Sequence, residues 1–166
     1  VVRRVWSSAW TFAAFEERAW WNVDQALVAM GVAVNPAVSD EAANGVIVTG
    51  GVPPCGSGQC YVNVQLGEVS VTNPTDGAVA EAYCVIPASE HAVQERVLSY
   101  STLSPERSLL SAAEVSELEA TTQQILSAFA PLYGTAPSET YLDLEFKFYG
   151  PTRKLLIKQV RPFVGR

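Results

Sequence analysis

Tyr141-Leu142-Asp143-Leu144-Glu145-Phe146-Lys147-Phe148-Tyr149, then Gly150-Pro151-Thr152-Arg153, then Lys154-Leu155-Leu156-Ile157-Lys158-Gln159-Val160-Arg161, is the most informative stretch of the chain. Side chains alternate across a strand, so Leu142, Leu144, Phe146 and Phe148 point one way and Asp143, Glu145 and Lys147 the other. Gly150–Arg153 is a turn, and Lys154–Arg161 returns as a second strand before Pro162. If Tyr149 faces Leu155, antiparallel counting places Glu145 opposite Gln159 and Asp143 opposite Arg161. A one-residue slip pairs Glu145 with Lys158 instead and breaks that set apart.

Upstream of the hairpin, Ser111-Ala112-Ala113-Glu114 is a capping box. Val115, Leu118, Ile125, Leu126, Phe129 and Leu132 mark one face, and Gly134 follows, so the spacing predicts a helix over Ala112–Tyr133. The middle of the chain reads as β-rich. Gly45–Thr49 and Ala80–Ile86 are short strand patterns, and Tyr61–Leu66 alternates with period two. Gly50–Pro54 is a loop, and Asn73-Pro74-Thr75-Asp76-Gly77 a turn cluster. Nearer the start, Ser8–Trp21 has the spacing of an amphipathic helix, its tryptophans expected in a core or on a partner-facing surface. The valine-rich Val28–Val34 reads as a strand stopped by Asn35-Pro36.

The chain has 166 residues, 48% hydrophobic and 17% charged, which suits one compact α+β domain with its own core. Seventeen acidic against eleven basic residues give a net charge of -6, so neither nucleic acid nor an anionic membrane is an expected partner. The longest mildly apolar run, Ala26–Val34, is half of the roughly 18 residues a membrane span needs. Val1-Val2-Arg3-Arg4-Val5-Trp6 runs straight into a helical pattern without methionine or leader, as expected of a segment from a longer protein. Three cysteines, Cys55, Cys60 and Cys84, lack zinc-site spacing. Free thiols in a reducing cytoplasm are expected, with a Cys55–Cys60 bridge as the alternative.

The hairpin residues carry a chemistry. Magnesium takes oxygen ligands, usually one or two from protein and the rest from phosphate and water, and an arginine adds contacts to the remaining phosphate charge. Glu145 and Gln159 with Asp143 and Arg161 supply those groups. The alternative is a solvated polar face on which Asp143 and Arg161 form a weak exposed ion pair.

The same residues resemble the end of the ATP-binding domain of the phosphoenolpyruvate synthase and pyruvate phosphate dikinase family. That family shows an aspartate-x-glutamate strand followed by a glutamine-x-arginine strand. Four other motifs follow its order. Val5-Trp6-Ser7-Ser8-Ala9-Trp10-Thr11 is similar to its tryptophan-led helix and Met30-Gly31-Val32-Ala33-Val34 to its hinge strand. Ala43-Asn44-Gly45-Val46 and Leu66-Gly67-Glu68 are similar to its glycine–valine and glycine–glutamate motifs. The resemblance covers nearly the whole chain.

The resemblance implies an ATP-grasp fold with a mixed or antiparallel sheet, and ATP and Mg2+ as ligands. Residue by residue, it implies that Glu145 and Gln159 hold magnesium, Arg161 contacts phosphate, Asp143 supports the site, Val34, Asn35 and Pro36 line adenine, and Glu68 lies near the nucleotide. The implied activity is phosphoryl transfer from ATP to a carrier histidine and on to pyruvate or a related acceptor. The chain itself would be the C-terminal portion of the ATP-binding domain, inactive alone, with an N-terminal lobe and a phosphohistidine domain elsewhere in a cytoplasmic parent. His91, in the polar stretch Pro87–Glu95, reads as a surface residue. Asn35 and Ser70 depart from the family pattern, which keeps open a catalytically inactive nucleotide-binding or interaction module of the same fold. A β-rich extracellular domain with a Cys55–Cys60 bridge is a third possibility.

Overall fold

The computed structural model describes residues 1–72, 74, 77–87, 94–105 and 107–163. The asparagine–glycine turn cluster therefore lies mostly, and His91 wholly, outside the described residues. Three helices are described, α1 (Val2–Ser8), α2 (Phe12–Trp20) and α3 (Ala112–Tyr133), with six strands, β1 (Glu41–Val48), β2 (Cys60–Leu66), β3 (Glu81–Ile86), β4 (Gln94–Ser99), β5 (Leu142–Tyr149) and β6 (Lys154–Pro162). The protein is α+β, and the chain divides into two compact units, Val1–Ala37 and Val38–Arg166.

In the larger unit all six strands form one antiparallel sheet in the order β4-β3-β2-β1-β5-β6. Inward residues of every second position, including Ile47, Val62, Val64, Tyr83, Leu144 and Phe148, pack with Val115, Leu118 and Leu126 of α3. Helix α3 begins and ends where its sequence dictates. The Ser111 side chain accepts from the Glu114 N–H, the Glu114 carboxylate accepts from the Ser111 N–H, and Gly134 closes the helix at φ 67°. Gly45 is needed for packing: a Cβ there would lie 2.6 Å from the Phe146 ring and 2.5 Å from the Asn63 carbonyl oxygen. That close approach lets Phe146 meet Phe148 edge-on, ring centres 6.0 Å apart.

The N-terminal unit departs from expectation. Ser8–Trp21 is not one helix, because the chain turns at Ala9–Thr11 and the Thr11 hydroxyl accepts from the Ala14 N–H to start α2 afresh. Neither helix buries a residue, and Trp6, Trp10, Trp20 and Trp21 are exposed. Val28–Val34, with its hinge pattern Met30–Val34, is irregular rather than a strand, since no described segment pairs with its backbone. Among the described residues no helix is long and apolar enough to cross a membrane.

The cysteine expectation also needs correcting. Cys55 is bonded to Cys84, 5.6 Å apart at Cα, and Cys60 is a buried free thiol. The register explains the choice. Cys60 faces Val85 inside the core, whereas Cys84 faces Tyr61 on the opposite side of the sheet, where the Thr49–Gln59 loop folds back. Burial, aided by Glu119, pushes the Cys60 thiol up to about 12, which disfavours the thiolate form.

Candidate functional site

The polar face of β5 lies opposite the face covered by α3, and cross-strand pairing arranges it in rows. One row runs Arg161, Asp143, Val48, Tyr61, Cys84 and Arg96 across all six strands. The next includes Gln159, Glu145, Val46 and Asn63. Both expected pairs, Glu145 with Gln159 and Asp143 with Arg161, are present.

They arise by a route that simple counting does not give. Tyr149 faces Lys154 rather than Leu155, so near the turn the strands run in the slipped register. Phe146 still faces Ile157, but Glu145 faces Gln159, which leaves Lys158 as the extra residue of a β-bulge. The bulge restores the expected pairing from there to Pro162 and places two β6 residues against one carboxylate.

Charge pairing along β5 is uneven. Arg161 donates to Asp143 Oδ2 from Nε at 2.8 Å and from Nη2 at 2.6 Å. Those bonds raise the Arg161 pKa still further. Lys158 Nζ reaches Glu145 Oε2 only at 3.4 Å. Lys147 is ion-paired with Glu41, while burial and the neighbouring Lys158 charge lower its pKa. Gln159 is exposed, and its side chain makes no hydrogen bond among the described residues. A cavity of about 170 Å³ lies beside Glu145, lined by Asn44, Ser70, Thr72, Lys147 and Lys158 among others.

Asn44, which lines this cavity, ties two motifs distant in sequence together. The Asn44 amide donates to the carbonyls of Gly67 and Val69 at 2.6 and 2.9 Å, fixing the turn after β2. Gly67 supplies the positive φ of 61° that this turn needs. Glu68 is thereby held on an exposed turn, one residue before the Val69 carbonyl that Asn44 binds. Val34, Asn35 and Pro36 belong to the N-terminal unit, and none lies in a strand.

The donor set fits magnesium in kind. Glu145 and Gln159 offer oxygen, and the weak Lys158 contact leaves the carboxylate available. Among the described residues no group of three His, Cys, Asp or Glu is placed to hold a metal, so an ion at Glu145 and Gln159 would need its other ligands from outside the chain. A larger cavity of about 680 Å³ lies at the start of α3, where Arg153 donates to Glu114 at 2.5 Å and to the Leu109 carbonyl at 2.9 Å. Sequence reasoning treats Lys158 and Gln159 as alternatives across from Glu145, and it misses the bulge that presents both as well as the Asn44 clamp. The signal for the bulge is the inward apolar spacing, two residues from Leu155 to Ile157 but three from Ile157 to Val160. No protein-family model matches the chain, and no curated protein matches it.

Proposed function

We propose that this chain forms the magnesium- and phosphate-binding face of an ATP-grasp nucleotide site in a phosphoenolpyruvate synthase-like phosphotransferase. The observation that carries this reading is the β6 bulge, which sets Glu145 against Gln159 beside the Asp143–Arg161 pair on an exposed sheet face. Bound magnesium neutralises phosphate charge in such a site. Glu145 and Gln159 hold it through oxygen, and Arg161, oriented by Asp143, donates to phosphate oxygens. Phosphoryl transfer relies on this kind of positioning and charge neutralisation. The carrier histidine and the acceptor, pyruvate or a related molecule, are assigned to other domains of the parent protein.

A second reading, a nucleotide-binding or interaction module without catalysis, is favoured by one observation: both carboxylates already carry a cation. Calorimetry on the complete protein separates the two. Under the first reading MgATP gives measurable heat and is turned over, and under the second at most the heat remains. Glu145→Ala should lose at least ~10-fold in MgATP affinity, the loss typical of even an outer-shell metal partner, and most phosphoryl transfer. Full activity in that variant contradicts the assignment.

A further inference from the structure

We infer that Lys158 is an exchangeable counter-ion: it neutralises Glu145 while the site holds no metal and turns to a phosphate oxygen when a magnesium–polyphosphate is bound. The inference rests on the proposed function and adds a phosphate-contacting residue to it. In a regular antiparallel pair only one residue of β6 faces Glu145, either Lys158 or Gln159 according to register. The bulge presents both, so Glu145 has Gln159 opposite it in register and the Lys158 ammonium at its carboxylate. The ammonium is loosely held. Its contact is 3.4 Å long and both side chains are more than a third exposed, 45% for Lys158 and 37% for Glu145. Such pairs are weak and exchange readily. The Asp143–Arg161 pair differs, with two short bonds onto an Asp143 side chain only 13% exposed.

The surroundings favour the same exchange. Lys147 is tied to Glu41, so Lys158 is the lysine free to move at the cavity that Ser70 and Thr72 line with hydroxyls. A lysine is a compact point charge on a flexible stem, able to leave a carboxylate for a phosphate without rearranging the backbone. Lys158 thus competes with a bare metal ion for Glu145 but assists a metal that arrives with polyphosphate. A purely structural residue has no such opposite effects.

The test titrates Mn2+ alone and MgATP separately into the complete protein and its Lys158→Gln and Lys158→Arg variants, with thermal unfolding of each. Lys158→Gln should bind Mn2+ alone about 2- to 5-fold more tightly and MgATP about 5- to 10-fold more weakly, its unfolding midpoint unchanged. Lys158→Arg should keep most MgATP affinity. Any result for Lys158→Gln other than opposite shifts overturns the inference. If the wild-type protein binds neither probe, the proposed function falls and the inference with it. If it binds both and Lys158→Gln matches it, only the inference falls.

Discussion

Strand β5 has two faces built from alternate residues, and they are held by different physics. Leu142, Leu144, Phe146 and Phe148 are 0–1% exposed beneath α3, fixed by close packing. Asp143, Glu145 and Lys147 stand on the other side, each paired with an opposite charge. Packing cannot be exchanged without unfolding, whereas an exposed charge pair such as Glu145–Lys158 can be. The strand therefore carries packing on one side and on the other charge pairs of unequal strength.

The sharpest way to break this comparison is to empty the packed face. Phe146→Ala removes a ring wedged over Gly45 and should cost about 3–5 kcal/mol in urea unfolding. A loss below about 1 kcal/mol would mean that this face does not hold the sheet. The disulfide sharpens the contrast from the open side, because it ties the loop after β1 to β3 there. Reducing Cys55–Cys84, which closes a separation of 29 residues, should cost about 3.5 kcal/mol on the chain-entropy model. Unfolded but unreduced protein should show one reactive thiol, Cys60, and three would disprove the bond.

The smallest effect is expected where the β5–β6 turn meets the helix. Glu114 closes the α3 cap and also binds Arg153 in the β5–β6 turn. Burial alone would raise its pKa, but hydrogen bonds from Arg153 and Ser111 outweigh that and hold it below its ordinary value. A lowered carboxylate contributes stability that is complete above its unfolded value and lost as pH falls through the folded one. Glu114→Gln should cost about 1 kcal/mol at neutral pH and progressively less in acid. A cost that stays constant down to pH about 3 would contradict it.

The sequence makes much of this legible where patterns are local and redundant. The capping box and Gly134 bound α3 at both ends, and strict alternation marks β2 and β5. Glu145 and Asp143 find their expected partners, although the premise at the turn fails and the bulge at Lys158 corrects it. Less is legible where a segment depends on neighbours. Val28–Val34 has strand composition but no strand to pair with among the described residues, and Ser8–Trp21 has helical spacing that the Thr11 cap interrupts. The Cys55–Cys84 bond joins residues whose proximity follows only from which face of the sheet each occupies. Strand β4, with Arg96 donating to the Pro54 carbonyl, has no comparable pattern of its own and is set by pairing with β3.

The most direct test of the division of labour along β5 compares adjacent residues, Leu144→Ala and Glu145→Ala, for unfolding free energy and MgATP affinity in the complete protein. Leu144→Ala should lose about 2–5 kcal/mol of stability. Glu145→Ala should unfold within about 0.5 kcal/mol of wild type, as exposed substitutions do, and lose most of its MgATP affinity. A Glu145→Ala protein that binds MgATP as tightly as wild type would contradict the account.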